Sequence, residues 1–276
     1  MSKTLSIATY CSNAISMEFY LKELIESVWE IADEIIVINC DKSEYDFESE
    51  VINLVSKNFP SKYSEGDYDD KIKVFHLPWQ WKMGKNMGRI ARSVAISQAG
   101  CDFVLLLDAD EVINEADHYK IKQCIELGHD VYSFRTLHYF RDFNHVKSGK
   151  NKSDPGNEWY NYRPKLFRSG LGIFDMHDIN GNYSGLLSVD GIDCQTIAKK
   201  TSIEIHHFGH VRSKEVYIKK TNDIERSYHK EWKDIEVEDF EWDMSGTKIF
   251  EGTYPESMKE RIEEHKKMNR SYYENI

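Results

Sequence analysis

The stretch 102-DFVLLLDADEVI-113 places three carboxylates, Asp108, Asp110 and Glu111, directly after a run of apolar residues. Close carboxylates repel one another, and burying one without compensation is costly. A divalent cation with oxygen ligands removes that cost, so a DxD at the end of a buried strand points to a metal site. The plainer reading is a helix N-cap followed by solvated charges, since Asp caps helices well. The apolar run FVLLL favours the metal reading, because it delivers the acids to the edge of a buried sheet. A calcium loop of the EF-hand type requires Gly at its sixth position, where this chain has Ile113. Two further groups carry chemistry-bearing side chains: the histidines His206, His207 and His210, and the aspartates Asp175 and Asp178. If 203–208 is a strand, His206 and His207 point to opposite faces, and one of the two reaches a shared site.

These residues need a scaffold, and the first half of the chain supplies one with a βα rhythm. Apolar runs at 5–10, 34–39, 71–77 and 103–107 read as strands, and segments 16–31, 47–59 and 88–99 have helical spacing. Alternating strands and helices predict an α/β fold with an open, mainly parallel sheet flanked by helices. Ligands of such sheets lie beyond the carboxyl ends of the strands. That directs attention to 9–13, 39–41 and 108–111. The second half reads as strands at 131–140, 163–174 and 203–208, with a polar loop or hairpin tip at 144–157. Charged amphipathic helices are expected at 214–232 and 255–273, joined by the acidic surface connection 234–243. The implied organisation is one domain over 1–212, divided into a nucleotide-binding half (1–113) and an acceptor half (114–212), followed by a helical extension over 213–276.

Composition narrows the function classes. The 276 residues carry a net charge of −11, which argues against a protein built to grip nucleic-acid backbones. No segment has the length and apolarity of a membrane span, and the N-terminus lacks a signal-peptide pattern. The five cysteines are scattered with no CxxC pair, as expected of reduced thiols in a cytoplasmic protein.

The order of parts resembles a GT-A-fold glycosyltransferase of family 2, close to bacterial members that build lipopolysaccharide cores. Four segments carry the resemblance: 34-EIIVINCDKSEYDFE-48, 87-MGRIARSVAISQAGCDFVLLLDADE-111, 163-RPKLFRSGLGIFDMHD-178 and 206-HHFGHVRS-213. It implies that Thr9 and Tyr10 line the base pocket, that Asn39 and Asp41 stand where the family holds base or ribose, and that Arg92 lies near the nucleotide. The resemblance further implies that Asp108 is shared between ribose and metal, that Asp110 ligates the metal, and that His207 is a further metal ligand. It also implies that Asp178 is the general base, with Asp175 as the alternative. The family's usual acid at Asn39 is missing, which leaves the nucleotide open. Lys85, with Lys82 and Arg89, offers positive charge for a diphosphate. Trp79, Trp81, Trp159, Tyr160 and Tyr162 are candidate walls of the acceptor site.

The implied reaction is transfer of a sugar from a nucleotide sugar, with a UDP-sugar favoured, to a glycan, lipid-linked or protein acceptor. Mn2+ or Mg2+ held by the DxD would stabilise the diphosphate as it leaves, and one base acting in one displacement would invert the anomeric centre. Two other classes stay open: a haloacid-dehalogenase-like phosphatase with Asp108 as nucleophile, and a non-catalytic nucleotide-sugar binder. The C-terminal helices could form a homodimer contact or a rim over the acceptor.

Overall fold

The computed structural model describes residues 2–41, 49–60, 63–65, 71–78, 86–148, 150–151, 154–158, 162–177, 184–228 and 231–268. The nucleotide half contains β1 (Leu5–Cys11), α1 (Leu21–Val28), β2 (Glu34–Asn39), α2 (Glu50–Asn58), β3 (Tyr63–Glu65), β4 (Ile72–His76), α3 (Asn86–Ser97), β5 (Phe103–Leu106) and β6 (Glu111–Ile113). There follow α4 (His118–Leu127), β7 (Val131–Phe140), β8 (His145–Lys147), β9 (Lys150–Asn151), β10 (Asp154–Glu158), β11 (Tyr162–Arg168), β12 (Phe174–His177), β13 (Ser184–Leu187) and α5 (Cys194–Ile197). The chain then forms β14 (Lys199–His210), α6 (Lys214–Tyr228), β15 (Thr247–Ile249) and α7 (Lys259–Met268).

The sheet is α/β and mixed, in the order β15-β8-β7-β11-β5-β1-β2-β4-β3, with β14 pairing β6 and β7 off that path. Strands β1–β5 are parallel, β6 runs antiparallel to β14, and β11 returns antiparallel between β5 and β7. Strand periodicity explains how both faces are covered. On β1, β2 and β5, Leu5, Ile7, Ile35, Val37, Phe103 and Leu105 join the core under α1, α2 and α4. The alternating Ala8, Ile36, Ile38, Val104 and Leu106 meet Ala91 and Ala95 of α3 on the other face. Strands buried on both sides must be apolar throughout, and that is why FVLLL carries no polar residue until it leaves the sheet.

Local chemistry sets the helix ends. The Ser49 hydroxyl caps α2 by accepting the Ile52 amide, and α4 stops at Gly128 in the left-handed region. The segment expected as a loop or hairpin tip, 144–157, contains β8, β9 and most of β10, and β9 and β10 pair antiparallel as a hairpin. The extension over 213–276 is helical at α6 and α7, but β15 pairs with β8 and so ties it to the main sheet. A third core of Tyr20, Tyr139, Phe143 and Phe208 also takes in Met258 and Ile262 from this extension. Among the described residues no helix is long and apolar enough to cross a membrane.

Candidate active site

Leaving β5, the chain turns at Asp108 and re-enters the sheet as β6, so the DxD sits at a carboxyl strand end, as ligand sites in such sheets do. Strand β14 completes the site. Its register sets His207 opposite Glu111 on β6 and opposite His138 on β7, and the register shifts between His207 and His210. Gly209 lies at that irregularity. A Cβ there would stand 2.6 Å from the His207 ring and 2.8 Å from Asp110 Oδ2, so only glycine lets the strand pass this close to the acid.

Every acid at this strand end is already paired. Arg92 holds Asp108 through two hydrogen bonds, Nε to Oδ1 at 2.9 Å and Nη2 to Oδ2 at 3.1 Å. Its remaining nitrogen donates to Asp175 Oδ2 at 2.9 Å, and Arg89 lies 3.9 Å from the other Asp175 oxygen. Lys165 donates to Glu111 Oε2 at 2.5 Å, and the same oxygen accepts the Asp108 amide at 2.8 Å. Asp110 Oδ2 accepts Arg212 Nη2 at 3.0 Å and Lys220 Nζ at 2.9 Å, while Oδ1 lies 3.4 Å from His207 Nε2. Four carboxylates therefore meet five cationic side chains.

Burial and these pairings pull the acids apart. Burial would raise the Asp110 carboxyl, but Lys220, His207 and Arg212 reverse this and hold it well below its usual range. Asp108 is lowered too, against burial, chiefly by Arg92 and then Lys165. At Glu111 burial prevails over Lys165 and the carboxyl is raised. Burial also lowers the Lys220 ammonium in spite of Asp110.

The expected nucleotide contacts occupy different positions. Thr9 is buried in β1, and its hydroxyl has no hydrogen-bond partner among the described residues. Tyr10 closes against α3, with Arg92 5.3 Å from its ring centre and its hydroxyl 3.2 Å from where a Cβ on Gly88 would stand. Asn39 and Asp41 are engaged inside the protein. Asn39 Nδ2 donates to Ser49 Oγ and its Oδ1 accepts the Asp41 amide, while Asp41 accepts from the Asn13 amide, the Ser49 hydroxyl and the Val51 amide. Together they brace the turn after β2. Asp175, bound by two arginines, is not placed as a free base. Asp178, Lys85, Lys82, Trp79, Trp81, Trp159 and Tyr160 lie outside the described residues. Tyr162 lies under Lys200, 5.1 Å from its Nζ.

Of the three clustered histidines, His206 turns away to the aromatic core, where its Nδ1 meets the Tyr139 hydroxyl at 2.9 Å. His207 turns to the site, its Nδ1 3.0 Å from His138 Nδ1. His138, His207 and His210 each offer a ring nitrogen within 4.8 Å of the others. Burial and their mutual proximity push His138 and His210 well below the ordinary imidazole range. As a divalent-cation site the DxD fits poorly: both Asp108 oxygens carry Arg92, and one Asp110 oxygen carries two cations. What the DxD leaves for a metal is Asp110 Oδ1 beside His207 Nε2, flanked by Lys220 and Arg212, and the ligand spacing a metal could use lies instead in the His138, His207 and His210 group next to it.

The sequence pattern does not single out Lys165, Arg212, Lys220 or His138. Arg212 follows the HHFGH element by two residues, and that proximity was its one available signal. Lys220 sits on a charged helix where nothing in the local pattern separates it from Lys219.

Residues 6–186 match Glycosyl transferase family 2. The chain belongs to this family. No curated protein matches it. Among solved structures, this family 2 chain is similar to S. aureus TarS 1–349 in complex with UDP, at 19% identity and a TM-score of 0.42 over 81% of this chain and 65% of that one. TarS 1–349 is also matched at 20% identity and a TM-score of 0.38, where this chain spans about half of it (61% of this chain, 48% of that one). Glucosyl-3-phosphoglycerate synthase from Mycobacterium tuberculosis, in complex with Mn2+, UDP and glucosyl-3-phosphoglycerate, is similar at 15% identity and a TM-score of 0.32, over 50% of this chain and 44% of that one.

Proposed function

We propose that this family 2 chain transfers a sugar from a nucleotide sugar, with a UDP-sugar as first choice, to a glycan, lipid-linked or protein acceptor, inverting the anomeric centre. The observation that carries this reading is a buried strand end at which Asp108, Asp110 and Glu111 are surrounded by a small excess of cationic side chains. Such a site is suited to an anion with a few negative charges, such as a diphosphate, and it lies where α/β sheets bind ligands. Arg92 fixes Asp108 and Asp175 in place, so it acts as a positioning residue for the strand end rather than as a free phosphate ligand. Asp178 is the proposed base that removes the acceptor hydroxyl's proton. The metal expected from the DxD is not part of this reading, because the carboxylates that would hold it are already paired. A phosphatase using Asp108 is disfavoured on the same ground, since Arg92 bonds both oxygens of the carboxylate that would have to attack.

The test is release of the nucleoside diphosphate from a panel of nucleotide sugars, with phosphate release from simple esters run in parallel. The expected outcome is turnover of one nucleotide sugar and a loss of roughly 10²-fold or more in kcat for Asp178→Asn, with donor affinity kept. Phosphate release without nucleotide-sugar turnover would refute the reading.

A further inference from the structure

We propose that the Lys220 ammonium, braced by Arg212, takes the place at Asp110 that a divalent metal would otherwise fill, so that sugar transfer proceeds on the chain's own cations. The inference rests on the transferase reading and concerns what stabilises its leaving group.

Three observations carry it. The first is charge. A divalent ion at a DxD is needed when its carboxylates are otherwise unpaired, but here four acids already face five cations. Adding two more positive charges beside Lys220 and Arg212 would oppose binding, whereas the negative charge of a diphosphate would be drawn to the surplus cation.

The second is the unused donors. Lys220 Nζ donates to Asp110 Oδ2 at 2.9 Å and to Gly209 O at 3.4 Å. An ammonium has three N–H groups, so one remains. The Lys220 side chain is 23% exposed, more open than the fully buried Arg212 beside it. Arg212 is wholly buried. Its Nε donates to Gly209 O at 3.0 Å and its Nη2 to Asp110 at 3.0 Å, while its Nη1 has no hydrogen-bond partner among the described residues. That nitrogen is closed off from an incoming phosphate, so Arg212 acts by its charge and by bracing Asp110, and Lys220 is the cation that meets the ligand.

The third is rigidity. Asp110 and the Gly209 carbonyl together fix the ammonium, and Phe19 lies against both cations, 4.4 Å from Arg212 and 5.5 Å from Lys220. A charge held in place before the reaction stabilises a developing anion without reorganisation.

The step balances without a metal. The acceptor oxygen forms a bond to the anomeric carbon as the bond from that carbon to the β-phosphate oxygen breaks. The electron pair leaves on the diphosphate, beside Lys220, and the hydroxyl proton passes to the base carboxylate.

The experiment measures UDP release by the full chain from its nucleotide sugar, in EDTA and in Mn2+, for wild type, Lys220→Met and Lys220→Arg. Wild-type turnover is expected to be unchanged by EDTA. Lys220→Met should lose roughly 10²–10³-fold in kcat in EDTA, and Lys220→Arg should recover part of it. Loss of wild-type turnover in EDTA with recovery on Mn2+ would overturn the inference and leave the transferase reading intact. A thermal-shift titration of wild type with UDP, GDP, ADP and CDP needs no variant to fold and no known sugar. One nucleotide should stabilise the protein equally in EDTA and Mn2+. A shift that needs Mn2+ overturns the inference, and no shift from any nucleotide overturns both readings.

Discussion

The tightest point of the site is Gly209, and Gly209→Ala is the most direct test of the geometry. The added methyl would sit 2.6 Å from both Cε1 and Nε2 of His207 and 2.8 Å from Asp110 Oδ2, where ordinary contact begins near 3.4 Å. Both contacts must be relieved, by about 0.8 Å at the His207 ring and about 0.6 Å at Asp110, close to the 1 Å misplacements that cost enzymes about 10²-fold. Asp110 cannot retreat easily, because Arg212 and Lys220 hold the same oxygen and Arg212 is fully buried. The ring of His207 must therefore swing, breaking its approach to Asp110 and to His138, and the β14 backbone at Gly209 must draw back from Asp110. Overpacking of this size costs about 1–3 kcal/mol, which lowers Tm by several degrees. The assay pairs a thermal melt with UDP release, and Gly170→Ala is the control, since a Cβ at Gly170 meets nothing within 4 Å. Gly209→Ala should melt lower and lose about 10²-fold in kcat, with Gly170→Ala matching wild type on both counts. If Gly209→Ala melts and turns over like wild type, the close passage of β14 over Asp110 is wrong.

Lys165→Met leaves Glu111 buried without its cation and should cost roughly 3 kcal/mol by urea unfolding at pH 8. Because burial already raises the Glu111 carboxyl, it neutralises as pH falls, and the deficit should be visibly smaller at pH 5. His206 has the opposite sign to an imidazole that gains a partner. Burial lowers it to about 4, so the stability it contributes is whole above its unfolded value near 6.5 and is lost as pH falls toward 4, by about 3 kcal/mol. His206→Phe should flatten the stability-against-pH curve across that window, and an unchanged slope would refute the assignment. Asp41→Asn should lower Tm by weakening the brace on Asn13, Ser49 and Val51 while leaving nucleotide preference unchanged in the thermal-shift panel.

Much of the architecture was legible because burial on both faces leaves a plain mark. The runs at 5–10, 34–39 and 103–107 are apolar because β1, β2 and β5 lie at the centre of a sheet covered by helices on two sides, and no other placement suits them. The opposite facing of His206 and His207 was legible for the same reason, since strand periodicity is a local rule. At 144–157 the pattern left loop and hairpin tip both open, because a polar segment with Gly and Pro looks the same whether or not its backbone finds a partner, and the β9–β10 pairing decides for the hairpin. Asn39 and Asp41 show another limit. Their place at the end of β2 was correctly read, but whether a side chain faces a ligand or its own turn depends on Ser49 and Asn13, which sequence alone does not bring near.

The DxD itself marks the deepest limit of local reading. A carboxylate cluster states a debt of charge, and the sequence shows that debt without showing what settles it. The side chains that settle it here come from far along the chain: Lys165 from β11, Arg212 from just beyond β14, and Lys220 from α6. Each reaches the strand end only because the second half folds back over the first. A divalent metal and a set of distant lysines and arginines answer the same electrostatic need, so the same DADE fits either. The choice between them is made by residues 54 to 110 positions away from their partners, and it is a property of the tertiary fold rather than of the motif. That is why the extension over 213–276 cannot be treated as an appendage to the catalytic domain: removing α6 would remove Lys220, and with it one of the cations on Asp110.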